Sequence, residues 1–294
     1  MDEARTRREL IDPRLALAGW DPQDPSLVLQ ELELRLRGVD IQDLGHAPEA
    51  RGFTDYALVR HAVPVAVVEA KKTSKNVEIG RQQALGYSES LQALHGGPQP
   101  LVFYTNGHRT HFWEVGVYPP EVVYGYPTPD EMDWMRERAA NRRPLSVELI
   151  DTDIAGRDYQ IAGIRTILEA IEARKRRMLL VMATGTGKTR TAAALVDVLR
   201  RAKWAQRILF LVDRIGLQEQ AVDAFAEHIP AEPRWPQREG NWVEREFARN
   251  RRLYVTTYPT MLNLIQNGTT AESYLSPFFF DLVIADESHR SIYD

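Results

Sequence analysis

The pattern with the clearest chemical potential in the first half of the chain is a Glu-x-Lys triplet that ends an apolar run. The run reads VPVAVVEAK, and Glu69 and Lys71 would share one face of a strand because strand side chains alternate. Two charges at the edge of a core are costly unless something pairs with them. Asp55, on the preceding predicted strand, falls near the opposite position, so two carboxylates would converge there.

Such a carboxylate pair suits phosphodiester hydrolysis. Asp55 and Glu69 could bind one or two Mg²⁺ ions, which generate hydroxide and stabilise a pentavalent phosphate. Lys71 would neutralise charge on the scissile phosphate or orient the water. Gln83 and Tyr87, spaced four apart on the next predicted helix, would face the same edge. A surface ion pair at Glu69 and Lys71, with Tyr87 in an ordinary helix core, is the alternative interpretation.

The second half contains a phosphate-binding pattern, MATGTGKT at 182–189, between a predicted strand and a helix. Its glycines would let backbone N–H groups surround phosphates, assisted by the partial positive charge of the helix N-terminus. Lys188 would reach the β- and γ-phosphates and the Thr189 hydroxyl would ligate Mg²⁺. Met182 stands where the strict pattern has glycine, and a ligand-free turn is the alternative. The predicted contacts with ATP in this loop are Thr184, Gly185, Thr186, Gly187, Lys188 and Thr189.

Two further segments would complete a nucleotide site. DLVIADESH ends an apolar strand in Asp286 and Glu287, and the carboxyl ends of parallel strands face the ligand crevice. Asp286 would hold Mg²⁺ and Glu287 would polarise the attacking water. Upstream, GRDYQ offers Gln160 as a bidentate reader of adenine, with Tyr159 or Arg157 stacking nearby.

These residues need two different sheets to position them. Residues 1–150 read as α-β-β-β-α-β with a trailing strand. Residues 151–294 alternate helices and strands, including predicted strands at RMLLVMA (177–183), RILFLVD, LYVTTY and FDLVIAD. That alternation predicts an α/β fold with a parallel sheet. We therefore expect a domain boundary near residue 150.

Composition bounds the chemistry further. The 294 residues are 44% hydrophobic and 27% charged, and the absence of cysteine rules out thiolate metal sites and disulfides. The N-terminus lacks an apolar signal region and no apolar run could cross a bilayer, which predicts a cytoplasmic protein without a membrane partner. The net charge is −4, but the sequence contains three local basic clusters: RTRR (5–8), RKRR (174–177) and RNRR (249–252). Taken singly, each is more often a solvated surface than a phosphate track.

The order of YQ, MATGTGKT, LVDRIGLQEQ, VTTYPTM and DESH resembles the first motor domain of superfamily-two helicases and translocases. The resemblance implies that two segments follow the nucleic-acid backbone, with helix N-termini and hydroxyls holding phosphates. The residues it implicates in DNA binding are Asp213, Arg214, Leu217, Gln220, Thr256 and Thr257.

The order α-β-β-β-α-β, with D…ExK followed by QxxxY, resembles the RecB-like branch of the PD-(D/E)xK nucleases. This chain has TD in place of PD. The resemblance also implies a catalytic-site glutamate on the first helix, for which Glu9 is the candidate.

A nuclease of this kind joined to such a motor resembles the restriction (R) subunit of type I restriction–modification enzymes. RGFTDY, VVEAKKTSK, GRQQALGY, FYTNG, AGRDYQ and DESHRSIY contribute to this likeness, which spans nearly the whole chain. It implies ATP and Mg²⁺ as cofactors, ATP-driven translocation of double-stranded DNA, and double-strand cleavage. It also implies a complex with modification (M) and specificity (S) subunits, which methylate with S-adenosylmethionine and read the DNA sequence.

Two other functions remain compatible with these residues. One is a stand-alone helicase–nuclease of a repair or other defence system, which co-purification with M and S subunits would distinguish. The other is a regulatory ATP-binding module with an inactive nuclease face, which Mg²⁺-dependent nicking lost in Lys71→Ala would rule out. Motors of this class hydrolyse ATP with arginines from a second RecA-like domain. Residues 1–294 are therefore expected to bind nucleotide without efficient hydrolysis or translocation.

Overall fold

The computed structural model describes residues 2–37, 49–239 and 242–287, which form two compact units. The first unit comprises residues 1–136 together with 268–278, and the second comprises 137–267 with 279–294. The division therefore falls at 136/137 rather than near 150, and a short segment from late in the chain belongs to the first unit. Both units mix α-helices and β-strands.

The first unit is built around a six-stranded sheet with the strand order β1-β2-β3-β4-β5-β6. Neighbouring strands are antiparallel except β3 and β4, which run parallel and are joined by helix α3. The strands are β1 (Val28–Arg37), β2 (Glu49–Arg60), β3 (Val63–Ala70), β4 (Leu101–Thr105), β5 (Thr110–Trp113) and β6 (Glu121–Val123). The helices are α1 (Glu3–Thr6), α2 (Asp12–Leu17) and α3 (Ile79–His95), with a π-helical turn at Arg7–Ile11 between α1 and α2. Helix α4 (Pro129–Asn141) begins in this unit and ends in the second.

Each face of this sheet is covered by a different helical element. Ile11, Leu15 and Trp20 of the N-terminal segment lie in one apolar cluster with Phe103. Ala84, Tyr87 and Leu91 of α3 lie in a second cluster with β3 and β4 residues of opposite parity. Alternation along β3 and β4 explains the two clusters, since both strands are apolar at almost every position and are buried on both sides.

The second unit contains a four-stranded parallel sheet with the order β12-β7-β11-β8. Its strands are β7 (Ile208–Val212), β8 (Arg234–Trp235), β11 (Leu253–Thr257) and β12 (Leu282–Ala285), and a separate ribbon pairs β9 (Arg238–Glu239) with β10 (Trp242–Val243). Its helices are α5 (Asp158–Glu172), α6 (Lys188–Arg201), α7 (Ile215–His228) and α8 (Tyr258–Gln266), preceded by a 3-10 turn at Leu145–Val147. Apolar residues of α5, α6 and α7 pack on the sheet in one core.

One predicted strand is absent from this sheet. Residues 177–183 are not part of any strand, and Leu179 and Val181 are 78% and 84% exposed. Within the described residues β12 pairs with β7 alone. The other edge of β12 is unpaired, and residues 177–183 are not bonded to it. An apolar run becomes a strand only when another strand satisfies its backbone groups, and here a cavity separates the run from β12.

No helix in the described part of the chain is long and apolar enough to cross a bilayer.

The turn between β4 and β5 fixes the N-terminal helical segment against the first unit. Gly107 has φ +84°, and a Cβ there would lie 2.6 Å from Leu10 Cδ1 and 2.9 Å from Thr6 Cγ2. The Gly107 carbonyl accepts a hydrogen bond of 2.7 Å from Arg14 Nη1. Glycine is therefore required at position 107 for two reasons: its left-handed backbone conformation and the close approach of the helix.

We predict that Gly107→Ala lowers the free energy of unfolding by about 2–4 kcal/mol, as backbone strain plus overpacking. Gly116→Ala is the matched control, because Gly116 has φ +74° but no atom within 4 Å of an added Cβ. The control should lose only about 1 kcal/mol. Urea titration measures both, and equal losses would show that the helix does not press on this turn.

Candidate active sites

The carboxylates of the first candidate site converge through strand register. Tyr56 of β2 pairs with Val68 of β3, which sets the next residues, Asp55 and Glu69, opposite each other. The Ala70 N–H donates a 2.7 Å hydrogen bond to Asp55 Oδ2, so the aspartate lies directly against the Glu-x-Lys segment. Both carboxylates are buried, with Asp55 8% and Glu69 3% exposed. The structure therefore brings these two predicted residues together.

Lys71 completes this edge just beyond β3. Its Nζ donates a 2.7 Å hydrogen bond to Glu69 Oε1, and its backbone N–H donates to the Thr105 carbonyl, which continues the pairing with β4. The lysine side chain is only 13% exposed. Burial acts to lower the pKa of Lys71, but the neighbouring Glu69 carboxylate outweighs this effect and raises it. Lys71 therefore stays protonated.

Burial makes the two carboxylates reluctant to ionise. Loss of solvation raises the pKa of Asp55 to about 6, against the opposing effects of the Ala70 N–H and Arg7. Loss of solvation, followed by the charge of Asp55, raises the pKa of Glu69 to about 8. Asp55 and Glu69 are therefore a buried acidic pair that a bound cation would stabilise in its ionised form.

Arg7 joins this cluster from the N-terminal segment and was missed by the sequence analysis. Its Nη1 donates to Asp55 Oδ1 at 3.3 Å, and its guanidinium carbon lies 4.9 Å from the centre of the Tyr56 ring. The Arg7 side chain is 15% exposed. Little in the sequence indicated this role, because RTRR at 5–8 resembles the charged surface of an ordinary helix.

The candidate helix glutamate, Glu9, is not in the cluster. Glu9 accepts a 2.7 Å hydrogen bond from Arg5 Nε on the solvent side of the helix. Glu3, roughly two turns earlier, is close enough for its charge to raise the pKa values of Asp55, Glu69 and Lys71. Helical phase explains the difference, since positions six apart do not share a face.

Helix α3 covers the cluster through a glycine that the sequence analysis also missed. A Cβ on Gly80 would lie 3.3 Å from Glu69 Cγ and 3.5 Å from Lys71 Cγ, so the first turn of α3 rests on these side chains. Tyr87, one of the predicted pair, is buried, and burial together with Glu69 and Asp55 raises its pKa. Gln83 is half-buried and its Oε1 has no hydrogen-bond partner within the described residues. The sequence signal that could have indicated this contact is a glycine, Gly80, inside a helical pattern, because such a glycine often allows another group to pack closely.

The donor set of this cluster fits a hard cation. Glu69 Oε2 is buried without a hydrogen-bond partner within the described residues, which is costly unless a ligand satisfies it. Carboxylate oxygens are the protein ligands that Mg²⁺ prefers. In the described part of the chain no three His, Asp or Glu side chains are grouped closely enough to form a complete metal cage. Water and substrate phosphate would therefore have to supply the remaining ligands, as is usual for Mg²⁺.

The second candidate site lies where α6 begins. Gly185 and Gly187 have φ +78° and +85°, the left-handed conformation that the loop needs before Lys188 starts the helix. Thr186 is tied within the loop, because its hydroxyl donates a 2.6 Å hydrogen bond to the Ala183 carbonyl. Thr184 and Gly185 are exposed, whereas Thr189 is half-buried in the first turn of the helix.

Lys188 is paired with the end of β12. Its Nζ donates to Glu287 Oε1 in a close ion pair. Asp286 continues the ladder, donating its N–H to the Leu211 carbonyl, and its Oδ1 accepts from the Glu287 N–H at 3.0 Å. The remaining residues of the DESH motif, 288 and 289, lie outside the described residues. A cavity of about 650 Å³ bordered by residues 178–184 and β12 opens onto Lys188, Asp286 and Glu287.

The glutamine predicted to read adenine is bonded to the loop in this structure. Gln160 is 4% exposed, its Nε2 donates to the Thr186 carbonyl at 3.1 Å, and its Oε1 accepts from the Arg157 N–H at 3.3 Å. Tyr159 donates to the same Thr186 carbonyl and accepts from Arg157 Nη1 at 2.7 Å. The three predicted residues therefore meet at the loop. The Gln160 amide, however, is hydrogen-bonded to backbone groups and is not exposed to a ligand in this structure.

The residues implicated in DNA binding divide into two groups. Asp213, Arg214 and Gln220 are exposed at or after the carboxyl end of β7. Thr256 is fully buried, and the Thr257 hydroxyl caps α8 by accepting from the Thr260 N–H. Both threonines are therefore buried in this structure, and their contact with phosphates stays a prediction.

Residues 153–294 match the family model described as type III restriction enzyme, res subunit. Among curated proteins, the endonuclease subunit of the type I restriction enzyme EcoAI from Escherichia coli is 29% identical over 306 residues, covering 99% of this chain and 36% of that protein. The corresponding EcoKI subunit from Escherichia coli K12 is 28% identical, covering 75% of this chain and 23% of that protein.

A related subunit, SsaAORF53P from Staphylococcus saprophyticus, is 28% identical over 140 residues, covering 47% of this chain and 15% of that protein. A solved fragment assigned to an HsdR subunit of a type I restriction enzyme from Vibrio vulnificus YJ016 is 27% identical, with a TM-score of 0.36, and covers 99% of this chain and 52% of that one. This chain thus spans little more than a third, or less, of the curated relatives it matches. In sequence, the chain is thus similar to part of the endonuclease subunits of type I restriction enzymes.

Proposed function

We propose that this chain carries the DNA-cleaving site and the first ATP-binding motor domain of a DNA-translocating restriction endonuclease. In this proposal the first unit forms a PD-(D/E)xK-type nuclease and the second unit forms a RecA-like domain. Double-stranded DNA is the substrate, and M and S subunits are the partners. ATP and Mg²⁺ are the cofactors.

The observation that carries the nuclease proposal is the buried meeting of Asp55, Glu69 and Lys71 at one sheet edge. Bound Mg²⁺ would supply Lewis acidity that activates water and stabilises the phosphorane charge. Asp55 and Glu69 would hold the cation, using the unpartnered Glu69 Oε2. Lys71 stays protonated and would exchange its bond to Glu69 for the scissile phosphate. The order of helices and strands in the first unit is consistent with this class of nuclease.

The motor proposal rests on Lys188 at the start of α6. Backbone N–H groups of residues 185–189 and the helix N-terminus favour a bound phosphate. The Lys188–Glu287 ion pair would open to admit the β- and γ-phosphates of ATP, with Thr189 and Asp286 as the predicted Mg²⁺ contacts. Glu287, once released, would be free to orient water.

We predict that Lys71→Ala lowers Mg²⁺-dependent nicking of plasmid DNA by at least about 100-fold, because the variant loses a transition-state charge contact. DNA affinity should change little. The matched control is Lys72→Ala, which removes the adjacent, exposed lysine and should cleave normally. Equal activity of the two variants would contradict the assignment of Lys71.

Lys188→Ala should weaken binding of a fluorescent ATP analogue by about 10-fold or more, since the ammonium is the principal charge facing the phosphates. Nicking by the same variant should persist, because the two sites use separate residues. Arg245→Ala, which removes an exposed arginine elsewhere in the second unit, is the control for loss of positive charge. Loss of nicking together with nucleotide binding would argue against separate sites.

The raised pKa values of Asp55 and Glu69, about 6 and about 8, make Mg²⁺ binding sensitive to pH. The cation binds ionised carboxylates, so each bound proton must be released and the affinity falls as pH drops from 8 towards 6. With one proton released, the fall is about tenfold per pH unit. Titration calorimetry in two buffers of different ionisation enthalpy measures both the affinity and the proton release.

Glu69→Gln is the control for this pH dependence, since it removes the group with the higher pKa. Its residual Mg²⁺ affinity should vary less between pH 7 and 8 than that of the unaltered chain. An affinity that is constant across the range in the unaltered chain would mean that these carboxylates do not bind the ion.

A further inference from the structure

Three basic sequence segments of the second unit meet at the edge of the sheet opposite the nucleotide site. In an α/β unit the helices run antiparallel to the strands, so the ends of α5 and α6 lie with the starts of β7 and β11. The exposed cationic residues there are Arg143, Arg174, Lys175, Arg176, Arg177, Arg201 and Lys203. We call this set, with Trp204 at its centre, the basic pole.

Trp204 joins the segments physically. The guanidinium carbons of Arg142 and Arg174 lie 5.1 Å and 5.2 Å from the centre of its indole ring. The indole N–H donates a 2.8 Å hydrogen bond to the Arg143 carbonyl, and Arg143 Nη2 donates to the Arg201 carbonyl at 2.8 Å. Stacking of guanidinium on indole holds these side chains in place without neutralising their charge.

Two acidic side chains of the same region, Glu148 and Glu172, are turned towards the protein. Glu148 is 7% exposed and pairs with Arg143 and Arg201 at 3.0 Å each. Glu172 accepts from the backbone N–H groups of residues 145 and 146, and so caps the 3-10 turn. Asp197 also pairs with Arg201 at 2.9 Å, and Glu137 is exposed at the border of the adjoining cavity. The seven exposed cations still outnumber these acids, on a chain whose net charge is −4. Local charge of one sign on an acidic protein indicates an electrostatic binding surface.

Helix-end stabilisation accounts for only part of this charge. Arg200 and Arg201 lie in the last turn of α6, where cations interact favourably with the helix dipole. That effect falls off within the last turn, and residues 174–177 and Lys203 lie beyond the helix ends. A cavity of about 470 Å³, lined by Arg138, Arg143, Arg201 and Lys203 among others, opens beside them.

We propose that the basic pole binds the phosphodiester backbone of duplex DNA, at a surface separate from both candidate active sites; this inference rests on the DNA-processing function proposed above. An extended row of phosphates matches cations contributed by three segments better than a single small anion does. Arginine, which predominates here, donates paired hydrogen bonds to phosphate oxygens. Contacts of this kind hold DNA without reading its sequence.

The test is the salt dependence of DNA binding by the whole chain. A fluorescein-labelled duplex is titrated in EDTA without nucleotide, so that neither cleavage nor ATP binding contributes. Arg177→Gln combined with Lys203→Gln removes two charges of the basic pole without removing any hydrogen bond of those side chains described above. Arg8→Gln combined with Arg245→Gln removes two exposed charges elsewhere and is the matched control.

We expect the basic-pole variant to reduce the slope of log affinity against log salt by about 2, and to weaken binding about tenfold or more near about 0.1 M salt. The control should keep the slope of the unaltered chain. Circular dichroism melting verifies that both variants fold. A Trp204→Leu variant, which releases the stacked guanidinium groups, should weaken binding with little change of slope.

A basic-pole variant with the slope and affinity of the unaltered chain overturns the inference, while leaving the proposed nuclease and motor sites intact. This outcome would be expected if the surface instead receives an acidic protein. Failure of the unaltered chain itself to bind duplex DNA overturns both this inference and the proposed function. The two failures are therefore distinguishable in one titration series.

Discussion

The cost of burying carboxylates is the constraint on which the first unit depends. Strand register holds Asp55 and Glu69 opposite each other. Burial raises their pKa values to about 6 and about 8, because the position tolerates two negative charges poorly. Lys71, Arg7 and the Ala70 N–H offset part of this cost. One carboxylate oxygen remains unsatisfied within the described residues, which is why the arrangement favours a cation as its natural ligand.

Much of the surrounding fold can be understood as support for that edge. Helix α3 approaches closely at Gly80, where an added Cβ would lie 3.3 Å from Glu69 Cγ, and the N-terminal segment is held by the β4–β5 turn at a second glycine, Gly107. Arg7 reaches Asp55 from that segment, so the turn contributes to the charge balance of the cluster through the helix that it positions. The carboxylates are thus fixed from both faces of the sheet.

In the second unit, the two edges of the parallel sheet carry different sets of charged side chains. Its parallel strands end at one edge, where Lys188 and Glu287 neutralise each other and where phosphates would compete for the lysine. At its opposite edge Glu148 is buried and several arginines are exposed around Trp204. The two edges therefore have distinct electrostatic character, which follows from placing helix N-termini at one end and basic segments after helix C-termini at the other.

The sequence by itself determined the local patterns: the Glu-x-Lys strand end, the glycine-rich turn before a helix, the alternating α/β rhythm of the second half, and the opposition of Asp55 to Glu69. These features depend on short-range periodicity and turn chemistry, which neighbouring residues dictate. Tertiary structure alone decided that Glu3 rather than Glu9 is close to the carboxylates, that Arg7 bonds Asp55, and that Thr256 is buried. It also decided that residues 177–183 lack a strand neighbour and that three distant basic segments share one surface. Each of these depends on which elements pack together in space, and helical phase, sheet order and burial arise from contacts between residues that are far apart in the chain.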